Sequence, residues 1–95
     1  MTTVEKIKPK MSVVERKNKF RGRERLEYIL YREERRGRDS YSIQAIQFKC
    51  GRKICQASAC DVSSLEDVAR EMFDVISDGF VEPYVLNEVV YDLLP

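Results

Sequence analysis

The fold is decided by residues 26–48, which read LEYILYREERRGRDSYSIQAIQF. Two runs rich in aliphatic and aromatic residues flank a charged stretch that contains Gly37. Because glycine adopts positive φ without a steric penalty, a two-residue turn at Arg36-Gly37 or Gly37-Arg38 would join the runs as a β-hairpin. The stretch therefore predicts two antiparallel strands.

A third strand and two helices are predicted after the hairpin. Residues 54–60 follow a turn at Gly51-Arg52, and small residues alternate on one face of that strand. After Asp61 the apolar spacing becomes the i, i+3, i+4 pattern of a helix, with Ser63 and Glu66 spaced as a capping box and Gly79 placed for a left-handed C-terminal cap. A second helix is predicted to open at Pro83.

We therefore predict an α+β fold, in which a three-stranded antiparallel meander carries two C-terminal helices on one face. A fourth, short strand would come from the N-terminal arm or from residues 80–82. Residues 24–95 form a single domain in this prediction. Residues 1–23 form a basic, flexible arm, since lysines and arginines recur there and Pro9 interrupts any regular element.

The composition argues against an enzyme, a metal site or a cofactor site. The chain contains no histidine, and its four glycines are isolated, so it has no glycine-rich phosphate loop. Cys50, Cys55 and Cys60 provide one ligand fewer than structural zinc takes. We expect them to be small buried residues in a reducing cytosol. The first ten residues lack the apolar region of a secretory signal, which also predicts a cytoplasmic protein.

The two faces of the predicted hairpin are both apolar. One face would form the core beneath the helices. Two helices cover only one face of a single sheet, so the second set would be partly exposed, as at a partner or dimer surface. The alternative is that residues 11–14 fold across it. The exposed set is Ile29, Tyr31, Ile46 and Phe48.

Charge is divided unevenly along the chain. Residues 1–25 carry a net charge of +6, residues 26–60 carry +3 and residues 61–95 carry −8. Four acidic residues follow the i, i+4, i+7, i+11 spacing of one helical ridge, where like charges repel. We interpret this acidic ridge as a docking site for a basic partner or for the chain's own arm, the alternative being ordinary solubility. Its members are Asp67, Glu71, Asp74 and Asp78.

The arm and the hairpin also suggest an alternative function, nucleic-acid binding. Lysine and arginine neutralise phosphates and so give affinity without sequence specificity, but Phe20 is the only aromatic residue of the arm on which a base could stack. The candidate residues are Lys17, Lys19, Arg21, Arg23, Arg32, Arg35, Arg36 and Arg38.

Residues 26–94 resemble a family of short, uncharacterised proteins of clostridial-type bacteria that is catalogued as a domain of unknown function. The resemblance lies in Tyr41-Ser42-Ile43, Asp61-Val62-Ser63, Val81-x-Pro83-x-x-Leu86 and Val89-Val90-x-Asp92. It implies a bacterial cytosolic setting and a compact α+β domain, with no activity, cofactor or site residues to carry over. The arm lies outside it.

Together these observations predict a non-enzymatic, cytosolic protein-interaction module. It would bind an unidentified protein or a second copy of itself through the outer sheet face, with the acidic ridge steering a basic partner. Neither a membrane nor a small-molecule substrate is indicated.

Overall fold

The computed structural model describes residues 10–94 and consists of one antiparallel sheet with two helices on one face. The four strands have twelve residues each and pair in the sequence order β1-β2-β3-β4. Their bounds are β1 Lys10–Arg21, β2 Glu24–Arg35, β3 Arg38–Lys49 and β4 Arg52–Ser63. The predicted α+β meander is therefore confirmed, with four strands.

Each hairpin closes with a two-residue turn, as the register shows by pairing Arg21 with Glu24, Arg35 with Arg38 and Lys49 with Arg52. The β2–β3 turn is Arg36-Gly37, with φ of 49° and 76° at these two residues. Two consecutive positive φ values define the type I′ turn, whose twist matches the right-handed twist of the flanking strands. The hairpin turn is thus the first of the two predicted alternatives.

The helices follow the sheet and pack on what we call its inner face. Helix α1 spans Glu66–Asp78, a 3₁₀ turn spans Pro83–Val85, and helix α2 spans Leu86–Leu93. The inner face and the helices enclose one core of fully buried apolar side chains. Its largest members are Leu26, Tyr28, Leu30 and Ile43 from the sheet, and Phe73, Ile76 and Leu86 from the helices.

Tyr28 fastens the linker between the helices to the core. Its hydroxyl donates a hydrogen bond of 2.8 Å to the carbonyl oxygen of Val81. Burial raises the pKa of Tyr28 to about 12, since a phenolate would lose its hydration in this position.

The predicted arm is wrong for residues 10–21, which form strand β1. The strand pairs along its whole length with β2, with one bulge between Val13 and Glu15. The fourth strand thus comes from the arm rather than from residues 80–82, and it is long rather than short. Residues 1–9 of the predicted arm lie outside the described residues.

The predicted ends of the first helix are also corrected. Ser63 is the last residue of β4, and its hydroxyl accepts a hydrogen bond from the Leu65 amide, so the helix begins at Glu66 without the capping box. Gly79 has a φ of −82°, and the left-handed residue is Phe80 at 52°. Glycine fits at position 79 because a Cβ there would stand 3.0 Å from the Val75 carbonyl oxygen.

None of the helices within residues 10–94 is long and apolar enough to cross a membrane.

Candidate functional site

The face of the sheet opposite the helices, the outer face, carries the predicted apolar set. Directly paired residues of an antiparallel sheet point to the same side, so the register defines the face. Its cross-strand pairs are Ile29 with Gln44, Tyr31 with Ser42, Glu27 with Ile46, and Arg25 with Phe48. The predicted division of the hairpin into two faces is confirmed.

Burial differs strongly within this set. Ile29 is only 3% exposed, whereas Tyr31, Ile46 and Phe48 are half-buried. Ile29 stands in the middle of the sheet, between its cross-strand neighbours Arg16 and Gln44. The predicted partial exposure of Ile29 is therefore wrong, and its role as a contact residue stays a prediction.

Polar side chains cover parts of the other apolar residues. The guanidinium of Arg25 lies 3.9 Å from the centre of the Phe48 ring, in cation–π contact. Arg25 is held there by hydrogen bonds to Asn18 at 2.8 Å and to Glu27 at 3.2 Å. The outer face is consequently a mixed surface rather than a continuous apolar one.

Strand β1 adds exposed apolar residues to the outer face. Met11 is 55% exposed and Val13 is 49% exposed, and they pair with Glu33 and Tyr31 of β2. A hollow of about 120 Å³ lies beside them and crosses all four strands. The residues that line it include Met11, Tyr31, Glu33, Ser42, Gln44, Ser58 and Cys60. Sequence reasoning missed this part of the surface because it assigned residues 11–14 to a flexible arm, to a short strand or to a cover over this face, without placing their side chains on the outer face.

The acidic ridge is divided in two by the fold. Asp74 and Asp78 form ion pairs with Lys17 and Lys19 of β1, at 2.7 Å and 3.3 Å. The chain's own N-terminal segment thus occupies this half of the ridge, which was one of the two predicted occupants. Asp67 and Glu71 are exposed, and neither has an ion pair among residues 10–94.

These two pairs belong to a longer set, which we call the charge ladder. Alternate residues of β1 face residues four apart on α1 and the linker that follows it. Two strand residues advance about 6.6 Å and four helical residues about 6 Å, so the charges stay in register. The pairs are Glu15 with Arg70 at 3.5 Å, Lys17 with Asp74 at 2.7 Å, Lys19 with Asp78 at 3.3 Å and Arg21 with Glu82 at 3.1 Å.

Lys17 is the best-held member of the charge ladder. Its ammonium donates to Asp74 and to the hydroxyl of Ser77, and lies 5.4 Å from the centre of the Phe73 ring. The hydrogen bond to Asp74 raises the pKa of Lys17, helped by the charges of Asp74, Glu15 and Asp78. The ladder fastens the edge strand β1 to the helical layer.

The predicted nucleic-acid residues are not brought together. Lys17, Lys19 and Arg21 are in the charge ladder, and Arg23 lies in the β1–β2 turn. The arginines of the β2–β3 hairpin, Arg32, Arg36 and Arg38, lie at the opposite end of the sheet. A twelve-residue strand separates the two ends by roughly 37 Å. The side chain of Arg35 is outside the described part of the structure.

The cysteines are free thiols, and their burial corrects the prediction. Cys50 and Cys60 are exposed, and only Cys55 is half-buried. Cys55 pairs with the buried Gln47 on the inner face, whereas Cys60 lines the hollow of the outer face. The two thiols therefore lie on opposite faces, because residues five apart in a strand point to opposite sides.

No family model, curated protein or solved structure matches this chain. The resemblance to the clostridial-type family stays a prediction.

Proposed function

We propose that this chain is a non-enzymatic protein-interaction module of the bacterial cytosol, which binds a protein partner or a second copy of itself through the outer face. The observation that carries the proposal is the open outer face. The helices pack on the inner face, and within residues 10–94 no helix lies against Met11, Val13 and Tyr31 around the hollow.

The size of the outer face supports this proposal. Four strands of twelve residues present a surface of roughly 19 Å by 40 Å, from the usual strand spacing and rise. This is close to the ~800 Å² per partner of a standard protein interface. Apolar residues beside hydrogen-bonding groups such as Gln44 and Glu33 are also the usual mixture of such interfaces.

Of the acidic ridge, only Asp67 and Glu71 have a role in this proposal. Both are exposed on α1, and their charges would attract a basic partner during its approach. Such exposed charges raise the association rate more than the final affinity, so their role is steering.

The test is light scattering coupled to size-exclusion chromatography on the full chain. In its self-association form, the proposal expects a dimer that survives high salt. It also expects that Met11→Glu combined with Val13→Glu yields folded monomers, since both side chains are about half exposed. A small loss of thermal stability is expected, because Met11→Glu places a carboxylate opposite Glu33. Tyr31→Glu combined with Phe48→Glu should have the same effect on association.

A matched control is available on the helical side of the molecule. Val75 and Tyr84 are 53% and 73% exposed, and Val75→Glu with Tyr84→Glu adds the same charge away from the outer face. The control should leave the dimer intact. Dissociation by the control alone, or full association of both outer-face variants, would contradict the proposal. If the unchanged chain is itself monomeric in every condition, self-association is excluded, and only binding to a different protein remains of the proposal.

A further inference from the structure

One end of the sheet combines aromatic and basic side chains in a single row. This row crosses all four strands of the outer face, because the register pairs Phe20 with Arg25, Arg25 with Phe48, and Phe48 with Lys53. At the usual strand spacing it is about 14 Å long. We call it the aromatic–basic row.

Two turns at the same end add further positive charge. The amide of Cys50 donates a hydrogen bond of 3.2 Å to the carbonyl oxygen of Arg23, which joins the β3–β4 turn to the β1–β2 turn. Arg23, Lys49 and Arg52 are exposed around this junction. Lys49 pairs with Glu24 and Arg52 pairs with Lys49, so these two residues lie on the inner-face side and border the row at the end of the sheet. No ion pair is seen for the three residues in the part of the chain that the structure describes. The acidic residues nearby are already engaged, Glu24 and Glu82 by Arg21, and Glu27 by Arg25.

The two aromatic groups of the row differ in exposure. Phe20 is 70% exposed at the sheet edge. Phe48 is stacked with the Arg25 guanidinium. Hydrogen bonds from Arg25 to Asn18 and Glu27 hold the guanidinium in place. A base stacks on an aromatic ring or on a guanidinium plane, whereas a phosphate binds lysine or exposed arginine.

We infer that this end of the sheet binds single-stranded nucleic acid. Bases would stack on the Phe20 ring and on the Arg25 guanidinium that covers Phe48, and phosphates would be held by Lys53 in the row and by Arg23, Lys49 and Arg52 at its rim. The site goes beyond the proposed protein interaction, which is centred on Met11, Val13 and Tyr31, and the two share Phe48. It shares Arg23 with the arm and hairpin set predicted from sequence but otherwise differs from it, because both lysines of that set are paired with α1.

The test is fluorescence anisotropy of the full chain with a labelled oligothymidine and, in a second experiment, with a labelled oligouridine. Both have about twelve nucleotides, a length within the range of site sizes of single-strand-binding domains. Removing Phe20 by Phe20→Ala should weaken binding about tenfold, the effect expected for losing one stacked base. The control is Tyr84→Ala, since Tyr84 is equally exposed at 73% but lies on the helical side. It should leave the affinity unchanged.

The phosphate contacts are tested by salt dependence. Each neutralised phosphate contributes about −0.7 to the slope of log K against log salt for a single strand, so four basic residues predict about −3. Lys49→Ala with Arg52→Ala should make the slope less steep by about 1.4. Arg36→Ala with Arg38→Ala removes the same charge from the opposite end of the sheet and should leave the slope unchanged.

Several results would overturn the inference. One is the absence of oligonucleotide binding at low salt. Another is an equal change of the salt slope in the Lys49→Ala, Arg52→Ala variant and in the Arg36→Ala, Arg38→Ala variant. A third is an equal loss of affinity in Phe20→Ala and Tyr84→Ala. Poly-glutamate that binds as tightly as oligothymidine, without regard to Phe20, would assign the basic end to an acidic protein instead. Thermal unfolding of each variant shows that it is folded, and a comparison of the two oligonucleotides decides between DNA and RNA.

Discussion

The inner and outer faces of the sheet both carry apolar residues, but the two faces have different surroundings. On the inner face Leu30 and Ile43 are paired across the strands and fully buried beneath the helices. On the outer face Ile29 is almost as buried, yet its neighbours are long polar side chains rather than a second layer. Burial of one residue therefore does not define a core. A core also needs a second layer of packed elements.

The largest expected effect is a difference between the two faces in how much an isoleucine-to-alanine change lowers the free energy of unfolding. Ile43→Ala should lower the free energy of unfolding by about 3–5 kcal/mol, because the rigid inner face leaves a cavity. Ile29→Ala should cost about 2 kcal/mol or less, since the side chains beside it are able to relax into the space. Chemical denaturation of both variants measures the difference. Equal costs would mean that the outer face is packed as tightly as the core.

The next effect concerns Tyr28 and its pH dependence. The folded-state pKa of Tyr28, about 12, lies above its ordinary value of 10.0. The unfolded chain therefore loses this proton first as pH rises, so stability is complete below pH 10 and falls between pH 10 and 12. Tyr28→Phe should make the free energy of unfolding less dependent on pH in this range. At neutral pH it should lower that free energy by about 1 kcal/mol, because the hydrogen bond to Val81 is lost.

Lys17 and Tyr41 also have raised pKa values, so some loss of stability remains in the Tyr28→Phe variant. Unfolding curves of both proteins between pH 8 and pH 12 measure the difference. An unchanged slope in the variant would contradict burial of the Tyr28 hydroxyl.

The smallest effect is expected in the charge ladder. A double-mutant cycle of Lys17→Met and Asp74→Asn should give a coupling of about 0.5 kcal/mol at low salt, since both side chains are partly exposed. The coupling should shrink as salt screens the charges. Arg16→Met is the matched control, because Arg16 is the next residue but points to the outer face. Coupling of Arg16 to Asp74 of the same size would contradict the alternation of β1.

Local patterns were enough to predict most of the fold. The apolar runs of residues 26–48, the glycine turn and the helical stripe after Asp61 each reflect interactions between residues near in sequence. The division of Tyr28 and Ile29 between two faces also followed from the two-residue period of a strand. These features depend on spacing alone, and the structure confirms them.

The full length of strand β1 could not be predicted from its own apolar pattern, because Met11, Val13 and Val14 indicated at most a short strand. Its inner-face positions from Glu15 to Arg21 lie at the sheet edge, where they meet the charged side of α1 rather than the core. The signal was non-local: charges two apart in residues 15–21 match opposite charges four apart in residues 70–82. Because residues 10–21 were not predicted as one long strand, Met11, Val13 and Phe20 were not recognised as outer-face residues.

The central claim, one covered face and one open face, is tested most directly by the native cysteines. Alkylation of the folded chain, followed by mass spectrometry, should modify Cys50 and Cys60 rapidly and Cys55 slowly, because Cys55 is half-buried on the inner face whereas the other two thiols are exposed. Under conditions where the chain associates, Cys60 should become protected while Cys50 stays reactive. Rapid modification of Cys55, at the rate of Cys60, would contradict the claim.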